Sequence, residues 1–168
     1  MVSNPEEPNK IEGTDGTDHI RGTDKKDFID AKGGNDFVDG LGGDDEIHGG
    51  DGKDRITGGD GNDTIYGDGG DDEIMGDAGD DTLYGGDGND IIFGNDGNDT
   101  IYGGKGNDKI YGELNDTLLD GGEGIDALLL TGSQIDLGAV QKNKIKNFEI
   151  LDLNKGSYIG MVLKNLIL

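Results

Sequence analysis

Aspartate recurs at every ninth position over most of the chain, and this spacing is the strongest chemical signal in the sequence. Eleven aspartates occupy these positions: Asp18, Asp27, Asp36, Asp45, Asp54, Asp63, Asp72, Asp81, Asp90, Asp99 and Asp108. A glycine stands two residues before each of them, except where Lys25 replaces it. Calcium takes about six to eight oxygen ligands and combines carboxylates with main-chain carbonyls, which glycine-rich turns present without side-chain obstruction. The pattern therefore favours calcium ligation.

An aliphatic residue follows each aspartate by two positions and gives the chain its core. Thirteen residues share this spacing: Ile20, Ile29, Val38, Ile47, Ile56, Ile65, Ile74, Leu83, Ile92, Ile101, Ile110, Leu119 and Leu128. A nine-residue unit fits neither a helix nor a long alternating strand. It fits a very short strand such as Thr64–Tyr66, whose middle residue points inward, and then a six-residue turn at 67–72. Two units then make one coil of 18 residues in a parallel ladder.

The composition limits the classes of function. The chain has 168 residues, 35 glycines, no cysteine and a net charge of −23, because 37 acidic residues face 14 basic ones. Such a polyanion is not expected to bind nucleic acid or an anionic membrane. We expect no membrane insertion, since no apolar stretch is long enough, and the acidic start is unlike a secretory signal peptide. With only 30% hydrophobic residues, the chain needs a further source of stability to fold.

Three units carry a resemblance to a known family. The segments 58–66 (GGDGNDTIY), 85–93 (GGDGNDIIF) and 103–111 (GGKGNDKIY) match the nonapeptide Gly-Gly-x-Gly-x-Asp-x-apolar-x of RTX proteins at every defined position. The resemblance extends over residues 13 to about 128. It implies an all-β fold, a right-handed parallel β-roll with calcium bound in its turns, and a monomer is expected.

The resemblance also implies a ligand set, in which each ion lies between two turns stacked on the same edge. The aspartates at turn position six would act together with carbonyls near positions one to four. The position-one glycines are Gly49, Gly58, Gly67, Gly76, Gly85, Gly94 and Gly103. Position two holds Gly50, Gly59, Asp68, Asp77, Gly86, Asn95 and Gly104. Position four holds Gly34, Gly43, Gly52, Gly61, Gly70, Gly79, Gly88, Gly97 and Gly106. Eleven turns form nine pairs, one of which contains Lys25, so we expect about eight calcium ions.

The repeats divide the chain into three parts. Residues 1–12 are expected to form an N-terminal linker or edge, residues 13–120 the roll, and residues 121–168 the last degenerate repeat and a C-terminal β cap. A cap is expected because the open end of a roll exposes unpaired backbone, and residues 127–130, 135–140, 145–153 and 161–168 are expected to form longer β segments there. The segment 145–153 (IKNFEILDL) resembles the stretch that follows RTX arrays in bacterial type I secreted proteins, notably large adhesins.

The resulting hypothesis is a calcium-binding module of a larger secreted or cell-surface protein, which folds outside the cell and assists type I secretion. One alternative is an adhesin stalk, or a ligand- or ice-binding solenoid. An aligned column of Tyr66, Tyr84 and Tyr102 would form a flat face for a partner, although stacking between strands is the favoured explanation. Ice binding is disfavoured because turn position three has no threonine column. The other alternative is the C-terminal fragment of an RTX protease or lipase. No catalytic motif is present, so we expect no enzymatic activity from this chain.

Overall fold

The computed structural model describes residues 7–131, 144–153 and 161–162, and within them the chain forms strands and no helix. The seventeen strands are β1 (Asn9–Glu12), β2 (His19–Arg21), β3 (Asp27–Asp30), β4 (Phe37–Gly42), β5 (Glu46–Asp51), β6 (Arg55–Asp60), β7 (Thr64–Gly69), β8 (Glu73–Ala78), β9 (Thr82–Asp87), β10 (Ile91–Asp96), β11 (Thr100–Lys105), β12 (Lys109–Gly112), β13 (Leu118–Glu123), β14 (Ala127–Leu130), β15 (Ile145–Lys146), β16 (Ile150–Leu153) and β17 (Met161–Val162). No helix that could span a membrane occurs among these residues.

The strands alternate between two sheets. The odd strands β1 to β15 form one sheet in sequence order, and the even strands β2 to β16 form the other, with β17 added antiparallel at its edge. Within the repeats each strand pairs in parallel with the strand two further along, in a register of 18 residues such as Ile65 with Leu83. The fold is therefore an all-β parallel solenoid of about seven turns, which confirms the predicted coil length.

The core is a single column of aliphatic side chains between the two sheets. From Ile29 to Leu128, the residues at every ninth position are at most 3% exposed. Ile20 is only partly buried and packs against this column at its N-terminal end. Because side chains alternate along a strand, the two neighbours of each core residue point outward. The nine-residue spacing therefore predicted the core correctly.

The strands are longer than the sequence suggested. Strand β7 has six residues, Thr64–Gly69, where three had been expected. The ladder continues through the first half of each turn, since Asp68 and Gly69 pair with residues of both neighbouring coils. Only turn positions four to six lie outside the strands, so the glycine-rich segment is held in register by main-chain hydrogen bonds.

The regular pattern changes near the C-terminus. The turn that begins at Gly112 is one residue short. The N–H of Asp99 is donated to Asp116 Oδ1 across 17 residues, whereas the equivalent bonds in the regular coils span 18 residues. Strands β15 and β16 extend the two sheets beyond β13 and β14. The strand expected at 135–140 lies outside the described residues. Strand β17 contains the first two residues of the segment expected at 161–168.

Candidate metal sites in the turns

The aspartate at position six of each turn connects neighbouring coils through one of its two oxygens. Asp54 Oδ1 accepts the N–H of Asp36 at 2.8 Å, and the N–H of Asp54 is donated to Asp72 Oδ1 at 2.8 Å. The same bond recurs along both edges of the solenoid, for example from Asp63 to Asp81. These side chains are almost completely buried. The Oδ1 atoms thus form a continuous hydrogen-bonded column inside each edge.

The second oxygen of these carboxylates is buried and has no hydrogen-bond partner. Ten aspartates share this feature: Asp36, Asp45, Asp54, Asp63, Asp72, Asp81, Asp90, Asp99, Asp108 and Asp126. A buried ionised oxygen without a partner is strongly unfavourable, so a cation is the expected compensation. The orphaned oxygens all belong to position six and occur in every turn from 31–36 to 121–126 except the short turn at 112–116. Their chemistry fits calcium, which prefers carboxylate oxygens.

A main-chain carbonyl from the next coil approaches the orphaned oxygen in most of these turns. A Cβ built on Gly49 would lie 2.6 Å from Asp54 Oδ2 and 2.9 Å from the Gly67 carbonyl oxygen. The two oxygens therefore converge beside the position-one glycine, which has no side chain to fill the space. Equivalent convergence occurs at Gly40, Gly58, Gly67, Gly76, Gly85 and Gly103, and also at Gly13 and Gly22 in the first two turns.

The backbone of the turns adopts two left-handed residues, at positions two and four. At position four this conformation is always glycine, as in Gly52 with φ 133°. At position two it includes Asp68 and Asn95, both with φ 69°. These residue types tolerate positive φ better than most non-glycine residues. A Cβ on Gly52 would collide with the Gly34 carbonyl of the preceding coil, so glycine is required there.

The comparison with known families agrees with this geometry. The family described as RTX calcium-binding nonapeptide repeat (4 copies) matches residues 12–47, 48–83, 66–101, 84–119 and 93–128. Together these matches span residues 12–128, well over half of the chain. The chain belongs to this RTX family. No curated protein matches the chain.

In these RTX turns the carboxylates repel one another and are poorly solvated. Burial raises the pKa of Asp72, Asp81 and Asp90 to about 7, from an ordinary value of 3.8. The main-chain N–H bound to Oδ1 acts in the opposite direction, and the neighbouring position-six carboxylates raise the pKa further. A divalent cation beside Oδ2 would remove this penalty, because it stabilises the ionised form.

The first two RTX turns satisfy their aspartates without a metal. The N–H and Oγ1 of Thr14 donate to Asp18 Oδ2 at 2.6 and 2.9 Å. Thr23 makes the same pair of bonds to Asp27 Oδ2, at 2.6 and 3.1 Å. Neither turn contains a left-handed residue at position two or four. Threonine at position two thus supplies the hydrogen-bond donors that Oδ2 lacks in the later turns.

The short turn at 112–116 also departs from the repeat. The side-chain amide of Asn115 donates to the Gly97 carbonyl oxygen of the preceding coil. The Gly112 carbonyl, the counterpart of the converging carbonyls elsewhere, instead accepts the N–H of Thr131 at 2.9 Å. The two carbonyls that would face an ion are therefore already hydrogen-bonded.

Sequence reasoning did not identify two features of the turns. One is Asp126, which has an orphaned Oδ2 and follows Gly122 and Gly124, both left-handed. Its phase was recognisable, since Asp126 is 18 residues after Asp108. The other feature is a ladder at position five, where each Asn or Asp side chain accepts the position-five N–H of the next coil, as Asn62 does from Asp80 at 2.8 Å. The residue type at position five varies along the chain, so the sequence pattern gave no indication of this ladder.

Within the described part of the chain, no three His, Cys, Asp or Glu side chains cluster closely enough to hold a metal by themselves. A calcium ion in these turns must therefore take many of its ligands from the main chain. The converging position-one carbonyls and the glycine-lined space provide for this. The donor set fits calcium, with one carboxylate oxygen from each turn.

Proposed function

We propose that this RTX module binds eight calcium ions in its turns and folds as it binds them outside the cell. The observation that carries the proposal is the row of buried, unpartnered Oδ2 atoms, most of which lie beside a carbonyl of the next coil. Of the ten orphaned aspartates, Asp99 faces the short turn and Asp126 faces a segment outside the repeats. The remaining eight are Asp36, Asp45, Asp54, Asp63, Asp72, Asp81, Asp90 and Asp108.

In this proposal the ion count equals the sequence-based expectation, but the positions differ. The pair of turns that contains Asp18 and Asp36 had been counted, but Asp18 is served by Thr14 and this pair drops out. The pair formed by turns 103–108 and 121–126 contributes a site that had not been counted, since the Gly121 carbonyl converges with Asp108 Oδ2 beside Gly103.

Folding and calcium binding are one equilibrium in this proposal. Without the ions, eight carboxylates would have to be buried next to one another in a chain that already carries −23 charges. Eight divalent ions supply 16 positive charges at those positions. Ligands that exist only in the folded coil transfer their binding free energy to folding. The calcium-free chain is therefore expected to be unfolded at neutral pH.

The cellular role follows from where calcium is abundant. Extracellular calcium modules have dissociation constants of about 10⁻⁴ to 10⁻³ M, well above cytosolic calcium. The module would stay unfolded inside the cell and fold at the exit of a type I secretion channel, where folding hinders backward movement. It would belong to a larger extracellular or surface protein. Family membership supports this role, because RTX proteins are typically secreted by type I systems.

A far-UV circular dichroism titration tests the binding function directly. Starting from a chelated sample, calcium should convert a coil spectrum into a β spectrum in one cooperative step, and magnesium at equal concentration should not. Equilibrium dialysis against radioactive calcium then gives the number of ions. A calcium-free protein that already has its full β content, or a count near zero, would overturn the proposal.

Secretion requires a separate test in the parent protein. We expect chelation of external calcium to lower the rate and yield of secretion, because the exported segment can no longer fold. Unchanged secretion in calcium-free medium would refute the secretory role and leave the calcium-binding role intact.

A further inference from the structure

The last turn of the array, residues 121–126, faces a segment that lies outside the repeats. In the regular coils, each turn lies opposite a turn of six residues in the next coil. Here strand β15 pairs Asp120 with Lys146, and β16 pairs Ala127 with Ile150. Only three residues, 147–149, therefore cross the corner opposite residues 121–126. The family match ends at residue 128.

This three-residue corner reproduces two features of a calcium-binding turn. The N–H of Asp126 is donated to Glu149 Oε2 at 2.8 Å, as the N–H of Asp54 is donated to the next position-six aspartate. A Cβ built on Gly121 would collide with the Asn147 carbonyl oxygen and lie 2.9 Å from Asp126 Oδ2. The same convergence of carbonyl and carboxylate occurs beside the position-one glycines of the array.

Asp126 provides the orphaned oxygen. Its side chain is fully buried, Oδ1 accepts the N–H of Asp108 at 2.9 Å, and Oδ2 has no partner. We propose that Asp126 Oδ2, the Asn147 carbonyl and the Glu149 carboxylate bind a ninth calcium ion, which fastens the C-terminal segment to the roll. This inference rests on the proposed function, because it extends the same site chemistry beyond the repeats.

The neighbouring groups support a cation at this corner. Asp120 Oδ1 accepts the side-chain amide of Asn147 at 2.6 Å, and this bond holds Asn147 in a left-handed conformation with φ 56°. Asp120 and Glu149 also surround Asp126 with negative charge. Lys146, which directly precedes the corner, is exposed and pairs in register with Asp120, and Lys144 directs its Nζ to the Leu114 carbonyl at 2.8 Å. Asp120 therefore acts as a positioning residue for the Asn147 carbonyl.

The site differs from the array in ways that predict its behaviour. Asn147 and Glu149 are exposed, whereas the array sites are enclosed by stacked turns. In the corner, Phe148 alone stands between Asn147 and Glu149, where a regular turn has four residues at positions two to five. The ninth ion should consequently bind more weakly than the others and load last.

Ion counting on the full chain tests the inference. E149Q should bind one calcium ion fewer than the unmodified protein, while E123Q, an equal change of charge in the facing turn 121–126, should keep the full number. In D126N the new amide can donate to the Asn147 carbonyl, so the same single ion should be lost with the fold retained. Circular dichroism of each calcium-loaded variant checks the fold.

A second readout follows the segment itself. At calcium concentrations that fill the array, amides of Ile150–Leu153 should exchange with deuterium faster in E149Q than in E123Q. If the array loads eight ions and both E149Q and D126N match the unmodified protein in count, the ninth site is refuted and the proposed function stands. If the unmodified protein binds no calcium, both fail together.

Discussion

The two oxygens of the position-six aspartate have different tasks. Oδ1 receives a main-chain N–H from the preceding coil, and Oδ2 is left buried without a partner beside a carbonyl of the next coil. Asparagine could take the first task but would bring a donor to the second position. Glutamate would place its carboxylate one methylene further out. Aspartate therefore meets both requirements, which explains why its spacing is so regular.

Replacing Asp63 by asparagine should remove one ion from the middle of the array. The new amide would donate to the Gly76 carbonyl, which converges with Oδ2 in the native protein. A charge-assisted interaction contributes about 1.5–3 kcal/mol, so calcium affinity at that site should fall about tenfold or more. Calorimetric titration measures both number and affinity. Asp60→Asn, an exposed position-three change of equal charge, serves as the control, and equal calcium binding by the two variants would contradict the assignment.

Alanine at position four should destabilise the calcium-loaded protein. Gly61 has φ 138°, and a Cβ there would collide with the carbonyl group of Gly43. Left-handed strain alone costs about 1–3 kcal/mol, to which the collision adds. Gly69→Ala is the matched control, because Gly69 has ordinary φ and its nearest neighbour, Asp51 Oδ1, would be 3.7 Å away. Chemical denaturation in saturating calcium should rank the two variants in this order, and equal stability would refute the steric argument.

At the scale of the turn, threonine and calcium are alternative solutions to the same electrostatic problem. Thr14 and Thr23 each donate two hydrogen bonds to the oxygen that is orphaned elsewhere. These turns lie at the N-terminal end of the roll, where the core residue Ile20 is only partly buried. Turns that need no ion give this end a closure that does not depend on calcium concentration.

The double variant Thr14→Val/Thr23→Val should keep its calcium count and lose stability. Each hydroxyl that is removed costs about 0.5–1.5 kcal/mol, because its aspartate loses one donor. Thermal unfolding in saturating calcium measures the loss, with the outward-facing Thr64→Val as the control. A changed ion count in the double variant would show that these turns bind calcium after all.

The outward aromatic column acts as an element of stability. Tyr84 lies between Tyr66 and Tyr102, with ring centroids 4.8 and 5.0 Å away and planes within 3° of parallel. His48 continues the stack at 4.5 Å from Tyr66, so this histidine also packs against an aromatic ring. The rings direct their faces toward one another, and only their edges remain for a partner.

Tyr84→Ala should therefore lower stability without affecting calcium binding. Two aromatic contacts at about 0.5–1.5 kcal/mol each predict a loss of roughly 1–3 kcal/mol in the free energy of unfolding. Tyr84→Phe keeps the ring and should stay close to the unmodified protein. If alanine and phenylalanine behaved alike in urea denaturation, the stack would have no energetic role.

Prediction from sequence succeeded where each coil repeats the last. The inward Ile65 and the buried Asp63 follow from period nine, because a repeating ladder translates sequence spacing directly into stacking. The bond from Thr23 to Asp27 could not be foreseen, since a hydroxyl at position two looks like an ordinary variation of the repeat. The corner formed by Asn147 and Glu149 has no repeat signature at all. It depends on a register that only the paired strands reveal.

For the whole molecule, charge and core size support the proposal that folding depends on cations. The core contains one aliphatic side chain for every nine residues, and the acidic surplus opposes compaction. Each coil contacts only its neighbours, so stability is close to a sum over adjacent pairs of turns. An ion between two such turns, at a hundred times its dissociation constant, adds about 2.7 kcal/mol. Several ions acting through shared turns would give the cooperative transition that the proposed function predicts.

Protonation of the buried carboxylates should partly substitute for calcium in stabilising the folded chain. The folded-state pKa of Asp72 and Asp90 is raised to about 7 by burial, above the ordinary 3.8. Between about pH 4 and pH 7 the folded chain thus holds more protons than the unfolded chain, and its free energy of unfolding falls as the pH rises. In calcium-free buffer, β content should be higher at pH 5 than at pH 7.5.

Circular dichroism across this range, with sedimentation to verify a monomer, measures the effect. The double variant Asp72→Asn/Asp90→Asn lacks two of the titrating groups and should show a smaller change with pH. Added potassium chloride screens repulsion between exposed charges but not between buried ones, so it should not abolish the change. In calcium the direction reverses, because protons compete for the ligands and more calcium is needed at pH 5. Equal β content at both pH values in the calcium-free protein would show that the buried carboxylates do not oppose folding.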